Sequence, residues 1–280
     1  MSPWFGDDPL PAANPVGPSG WLRAVVRGVP IVVIMLSGLV LMLLLRLVER
    51  PLFAPGRPLT PWITVAVCRA TLWLLGLRLT VIGEQMRGTG AVVANHTSWL
   101  DILVLNARKR VYFVAKSEVA GWPGISWLAK ATGTVFIRRD RREAGAQVEV
   151  FRRRLGAGHR LLFFPEGTSS DGRRVLPFKT TLFAAFFEPA LRETVQIQPV
   201  SVIYHAPLCE DARFFGWWGE MDLGSSVLRV LAQAPQGTVE LVYHPVVRVA
   251  DFADRKALAK ALEETVRDPL ARAVAEGDPA

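Results

Sequence analysis

Cysteine is nearly absent. Cys68 and Cys209 are the only two in 280 residues, and 141 positions separate them, so they form neither a disulfide framework nor a CxxC metal site; they read as buried thiols of a chain that needs no oxidising compartment. The familiar catalytic and nucleotide signatures are missing as well. No GxSxG elbow, P-loop, HExxH or GxGxxG occurs, which leaves serine acylation, nucleotide binding, zinc hydrolysis and dinucleotide binding without their usual sequence support. Negative charge is in deficit, with 25 Asp and Glu against 33 Lys and Arg, a net +8. That balance favours anionic partners: lipid headgroups, phosphates, acidic proteins or nucleic acid. Apolar residues make up half of the chain and nine residues are Trp, enough for a sizeable core even after some of that surface goes to a membrane.

Residues 1–20 hold five prolines and three glycines and read as a flexible tail. Charge then vanishes for eighteen residues between Arg27 and Arg46, GVPIVVIMLSGLVLMLLL, which as a helix extend about 27 Å, just enough to cross a bilayer. A signal peptide has a shorter apolar run of about 7–15 residues and a small-residue cleavage pattern, and here RLVERPLF follows. The second apolar segment, residues 62–79, carries Arg69 and Arg78. Charges are costly inside a spanning helix, so this segment is expected in the membrane interface. Pro51, Pro55, Pro58 and Pro61 separate the two, and a helical hairpin entering one leaflet competes with a single span. Arginines flank the first segment on both sides, so the positive-inside rule gives no direction.

From Arg78 onward short β-branched runs alternate with helical stretches. LTVIG, AVVAN, VYFVA, TVFIR, LLFF, IQPVSVIY and VELVYHPVV read as strands, and Ala144, Val148, Phe151 and Leu155 as one helix face. The expected fold class is α/β: a mixed, largely parallel central sheet flanked by helices, preceded by an N-terminal membrane-embedded helical hairpin. The expected division is a tail at 1–20, membrane-associated helices at 21–80, an α/β domain at 81–250 and an amphipathic C-terminal helix at 251–280, with Leu258, Ala261, Leu262 and Val266 on its apolar side.

In such folds functional loops lie beyond the carboxyl ends of strands, and there stands Asn95-His96-Thr97-Ser98-Trp99-Leu100-Asp101. Residues five apart point about 140° from each other on a helix, so His96 and Asp101 meet only if a helix starts between them. Ser98 is a good N-cap, which puts His96 in the loop and Asp101 in the first turn. A plain capping box explains Ser98 and Asp101 without any chemistry. The functional alternative is a carboxylate that fixes the imidazole tautomer and leaves its other nitrogen to take a proton from a hydroxyl, with backbone amides at the helix start for a developing oxyanion. A second cluster, Phe164-Pro165-Glu166-Gly167-Thr168-Ser169, is followed by Asp171, Arg173, Arg174 and Lys179. It reads as a loop offering amides and cations to a polar or anionic ligand, or as a simple hairpin turn.

These blocks resemble those of the lysophospholipid and glycerolipid acyltransferase family, NHxSxxD followed by FPEG. Two further blocks of that family stand in order, Gly133-Thr134-Val135-Phe136-Ile137-Arg138-Arg139 and Ile197-Gln198-Pro199-Val200. The resemblance covers residues 78–250 and extends to the N-terminal helices. It implies acyl transfer from acyl carrier protein or coenzyme A to a lysolipid hydroxyl, with His96 as base and Asp101 orienting it. Glu166, Gly167, Thr168, Ser169, Arg173 and Lys179 would shape the acceptor site, and Arg139 would face the acceptor's polar head. No metal or redox cofactor is required. An anionic membrane is the implied partner, and a bacterial-type inner membrane with the site facing the cytoplasm the implied location. Members acting on phosphate acceptors commonly have Arg after the FPEGT threonine, where this chain has Ser169. Together with QPVSVIY, Trp218-Gly219-Glu220-Met221-Asp222 and His244-Pro245, this looks more like the lyso-ornithine lipid acyltransferase branch, with lysophosphatidic acid as the alternative acceptor. A catalytically inactive lipid-binding scaffold would keep hairpin and pocket without the base. The basic runs at 108–110, 138–142 and 152–154 match no nucleic-acid module.

Overall fold

The computed structural model describes residues 4–6, 9–11, 15–54, 56–121, 125–137, 144–208 and 210–277; Arg138, Arg139 and Cys209 lie outside the described residues. The chain opens with a 36-residue helix α1 (Pro18–Phe53), about 54 Å long. It starts inside the expected tail because Pro18 stands in the first turn, where a helix needs no amide hydrogen, and it runs through Pro51 into its last turn. Only 11% of its most apolar window is buried, and by length and composition it suffices to cross a membrane; a core helix of the same composition would be mostly buried. Helix α2 (Thr60–Leu75) folds back along α1. Glu49 locks the pair: its buried carboxylate accepts from Leu59 N (2.7 Å), Thr60 N (3.1 Å) and Thr60 Oγ (2.6 Å), capping α2, and pairs with Arg46 at 3.1 Å.

Alternating elements follow: β1 (Arg78–Ile82), β2 (Gly90–Ala94), α3 (Asp101–Arg108), β3 (Tyr112–Lys116), α4 (Ile125–Thr132), β4 (Val135–Ile137), α5 (Ala144–Gly156), β5 (Arg160–Phe163), α6 (Pro189–Arg192), β6 (Gln196–His205), α7 (Leu223–Ala232), β7 (Thr238–Tyr243), β8 (Val247–Arg248) and α8 (Arg255–Gly277). The sheet runs β1-β7-β6-β2-β5-β3-β4, with β8 beside β6. All pairs are parallel except β6 with β7 and β6 with β8, so the sheet is mixed and largely parallel. The run VELVYHPVV breaks after Tyr243 into β7 and β8, because Pro245 has no amide to give a ladder.

Central strands are buried on both faces, which is why they read as continuous apolar runs. Ala91 and Val93 of β2 point into one core layer with Phe151, Phe183 and Leu262, whereas Val92 and Ala94 point into the other with Leu72, Leu105 and Val230. Ile31 of α1 and Cys68, Leu72 and Leu75 of α2 belong to that second layer. The N-terminal helices therefore share the core of the sheet domain. Arg69, the charge that argued against a spanning α2, has a structural use: Nε donates to Ala107 O at 2.6 Å and Nη2 to Arg108 O at 3.3 Å, capping the end of α3. Helix α8 is capped by Asp254 and buries Leu258, Ala259, Leu262, Val266 and Leu270, so Ala259 takes the place expected of Ala261. Described parts of the tail lie against the domain: Trp4 sits 6.3 Å from Trp218, and Pro9 O accepts from Arg213 at 3.0 Å.

Candidate active site

The loop between β2 and α3 is built to be rigid. At the carboxyl end of β2 the side chain of Asn95 replaces a ladder rung, donating to Val202 O (2.8 Å) and accepting from Val202 N (2.7 Å) of β6. His96 N donates to Glu166 Oε1 at 2.6 Å, while His96 O accepts from Ser170 N and Thr97 O from Trp217 N, both at 2.9 Å. The residues fixing this loop thus come from β6, from the 164–176 segment and from the turn at Trp217. Trp99 ties the first turn of α3 to α7 by donating to Ser226 Oγ at 3.2 Å.

Within that frame His96 Nδ1 lies 2.7 Å from Asp101 Oδ2. Asp101 is 0% exposed, and an ionised carboxylate only accepts, so Nδ1 carries the hydrogen and Nε2 keeps its lone pair. Oδ2 also accepts from Thr97 N (2.8 Å) and Ser98 N (3.0 Å), and Oδ1 from the hydroxyl of Tyr204 (2.7 Å). These four donors hold a buried charge that would otherwise be costly. Burial first, then the charge of Asp101, pushes Tyr204 well above the usual phenol range, so its hydroxyl remains a donor. The imidazole stacks on Phe164, with centroids 4.1 Å apart and planes 10° from parallel, and keeps 20% of its side-chain surface accessible.

The Ser98–Asp101 relation is half a capping box: the carboxylate accepts from Ser98 N, whereas Ser98 Oγ accepts from Leu100 N at 3.3 Å. The amides of Thr97 and Ser98 are spent on Asp101 because the side chain folds back over its own turn.

The FPEGTS segment follows β5. Gly167 N donates to Phe164 O (3.1 Å) in a tight turn, and Lys179 N to Pro165 O (2.9 Å), closing the loop on itself. Glu166 is 1% exposed and its second oxygen accepts from Leu176 N at 2.7 Å, so the carboxyl ties this loop to the His96 backbone. Burial pushes its pKa up to about 8 against the lowering effect of those two amides, with Asp101 adding to the rise. Thr168 is half-buried. The Ser169 hydroxyl donates to Trp217 O. Asp171 accepts from Arg173 N (3.0 Å) and pairs with Arg174 (3.0 Å), whose guanidinium lies 5.4 Å over Trp4. Gly172, at φ +79°, is needed here: a Cβ would come 2.6 Å from Thr97 Cγ2. Arg173 and Lys179 are half-buried. Arg139, expected to face the acceptor head, lies outside the described residues.

The structure thus brings together His96, Asp101, Glu166 and the turn from Gly167 to Asp171. Tyr204 was not singled out by sequence. No local signal marks it, since 103 positions separate it from Asp101.

Comparison with known proteins gives the family of the chain. A family model described as Acyltransferase matches residues 78–203. The chain is 54% identical over 267 residues to a lyso-ornithine lipid O-acyltransferase of Rhodobacter capsulatus, covering 95% of this chain and 96% of that protein. It is 30% identical over 184 residues to a 1-acyl-sn-glycerol-3-phosphate acyltransferase of Neisseria gonorrhoeae, covering 64% and 69%. In fold it is similar to the crystal structure of PlsC, the 1-acyl-sn-glycerophosphate acyltransferase of Thermotoga maritima, with a TM-score of 0.54 at 23% identity, over 89% of this chain and 97% of that one. The chain therefore belongs to the lysophospholipid and glycerolipid acyltransferase family, and it is an acyltransferase.

Proposed function

We propose that the chain transfers a fatty acyl group from a thioester, carried by acyl carrier protein or coenzyme A, to the hydroxyl of lyso-ornithine lipid, giving ornithine lipid. The observation that carries the mechanism is the 2.7 Å contact between His96 Nδ1 and a fully hydrogen-bonded Asp101. Nε2 takes the proton of the acceptor hydroxyl as its oxygen attacks the thioester carbonyl. Asp101 stabilises the imidazolium so formed. The tetrahedral intermediate collapses by expelling the thiolate, which takes the proton back from Nε2, so no enzyme nucleophile and no net proton is consumed. Asp101 is therefore an orienting residue and Tyr204 a positioning residue behind it. Glu166 holds the acceptor loop, from Gly167 to Lys179, against the His96 backbone.

For the acceptor, support comes from the Rhodobacter relative and from Ser169. With its hydroxyl bonded to Trp217 O and Asp171 beside it pairing Arg174, the turn offers no bidentate phosphate clamp at that position. The Neisseria relative favours a second reading, lysophosphatidic acid as acceptor. Helix α1 would hold the enzyme in a bacterial inner membrane with the site on the cytoplasmic side, where acyl thioesters are made and where the basic chain meets anionic lipid.

The test offers purified full-length enzyme both acceptors together, with acyl carrier protein and coenzyme A donors in separate arms, and reads product masses. Ornithine lipid as the dominant product is expected. Phosphatidic acid as the dominant product would overturn the acceptor assignment and keep the mechanism.

A further inference from the structure

A cavity of about 1120 Å³ lies away from His96. It borders the chain before β4 and the end of α5 before β5, the amino ends of these strands, whereas His96 follows the carboxyl end of β2, which runs parallel to β5. One wall is the outer face of α1, where Val40, Leu43, Leu44 and Leu47 are 52–73% exposed. Opposite stand the cations Arg57, Lys130, Arg153 and Arg154, joined by Arg46 and Arg50 from α1 itself, and no carboxylate lines the groove among the described residues. The neighbouring Glu49 is buried in the cap of α2, where it also pairs with Arg46 at 3.1 Å.

The inner cations are held by backbone carbonyls, which leave their charge unneutralised. Arg57 Nη1 donates to Ala131 O and Arg154 Nη2 to Gly133 O, both at 2.9 Å. Gly133 makes this possible: it sits at φ +85°, and a Cβ there would fall 2.6 Å from Arg57 Nη1. Burial first, then neighbouring arginines, lowers the proton affinity of both guanidiniums, a cost that an anion would relieve. Trp127, 73% exposed, stands among the lining residues, as tryptophans do where bilayer meets water.

Six cations around an aliphatic wall on a membrane-length helix, Arg46 alone of them paired with a carboxylate among the described residues, suit one chemistry, a phosphate attached to a fatty chain. We propose that this groove binds an anionic membrane phospholipid, its headgroup among the cations and its acyl chain along Leu43 and Leu47. It is a second lipid site, apart from the acceptor bound at His96, and it would fix the depth of the hairpin. The proposal rests on the reading of α1 as a membrane helix. An acidic protein would match the charge but not the aliphatic wall.

The test uses the full chain in detergent and the variant Arg50→Gln/Lys130→Gln/Arg153→Gln, which spares the carbonyl bonds of Arg57 and Arg154. Phosphatidylglycerol or phosphatidylcholine with brominated chains is titrated in, and tryptophan quenching is read. Trp127→Phe isolates the groove's signal from that of the other tryptophans, and matching unfolding midpoints show that the variants fold. Trp127 is expected to be quenched at phosphatidylglycerol concentrations about a hundredfold below those of phosphatidylcholine, and the triple variant to lose that preference, at roughly fivefold per cation. Equal quenching by both lipids, or a preference that survives in the variant, would overturn the proposal. So would an unchanged preference combined with loss of acyl carrier protein binding, which would make the groove a protein-docking surface. If neither lipid quenches any tryptophan, Trp21 of α1 included, the membrane reading itself fails.

Discussion

Replacing Tyr204 with phenylalanine removes one oxygen from the network behind His96 and adds no volume. In the wild type that hydroxyl donates to Asp101 Oδ1 at 2.7 Å, and Oδ1 has no other partner among the described residues. The carboxylate is 0% exposed, so no bulk water replaces the lost donor. A hydrogen bond to a buried charged group contributes about 1.5–3 kcal/mol, and folding stability should fall by that amount. The kinetic effect is smaller, because Oδ2 keeps its bonds to His96, Thr97 and Ser98. If about half of the loss reaches the transition state, kcat/KM drops about fourfold to twelvefold. The assay is acyl transfer by purified wild type and Tyr204→Phe, beside thermal unfolding in the same detergent. A variant with wild-type stability and wild-type kcat/KM would refute the reasoning. So would a loss as large as that of His96→Ala, which would place Tyr204 in contact with substrate.

Two further substitutions probe the surroundings. Glu166→Ala leaves the amides of His96 and Leu176 without acceptors and should cost about 2–5 kcal/mol together with most of the activity; unchanged unfolding in detergent would contradict the placement of this carboxyl. His159, stacked on Tyr112 at 4.1 Å, has its pKa lowered to about 4, chiefly by burial and then by Arg154. Its unfolded imidazole takes a proton near pH 6.5 that the folded one refuses, so stability falls as pH drops from about 6.5 towards 4, by up to about 3 kcal/mol. His159→Phe should keep the stack and flatten the melting temperature across that window, whereas an unchanged acid slope would assign the loss to other groups.

Much of the fold was legible because local pattern and tertiary environment coincide. AVVAN and LLFF are apolar on both faces because β2 and β5 sit in the middle of the sheet, and Asp101 does stand in the first turn of a helix, although Leu100 and not the expected Ser98 is its N-cap. Prolines misled at both ends of α1. Pro18 and Pro51 read as breakers, yet the first turn tolerates a missing amide and the last has little helix left to interrupt. The antiparallel placement of β7 followed from no local signal, since it depends on which sheet edge the chain returns to. In the site, the meeting of His96 with Asp101 could be derived from helix geometry. The caps that Glu49 gives α2 and Arg69 gives α3, and the hydroxyl of Tyr204 behind Asp101, could not, because each joins residues on different elements.

The most direct test of the central claim is the rate of acyl transfer to lyso-ornithine lipid by His96→Ala beside wild type, each as purified full-length protein with matched unfolding midpoints. Removal of the base predicts a loss of at least about a hundredfold, with binding of the acyl donor retained. A variant that folds and keeps a tenth or more of the wild-type rate would show that His96 is not the group that takes the proton.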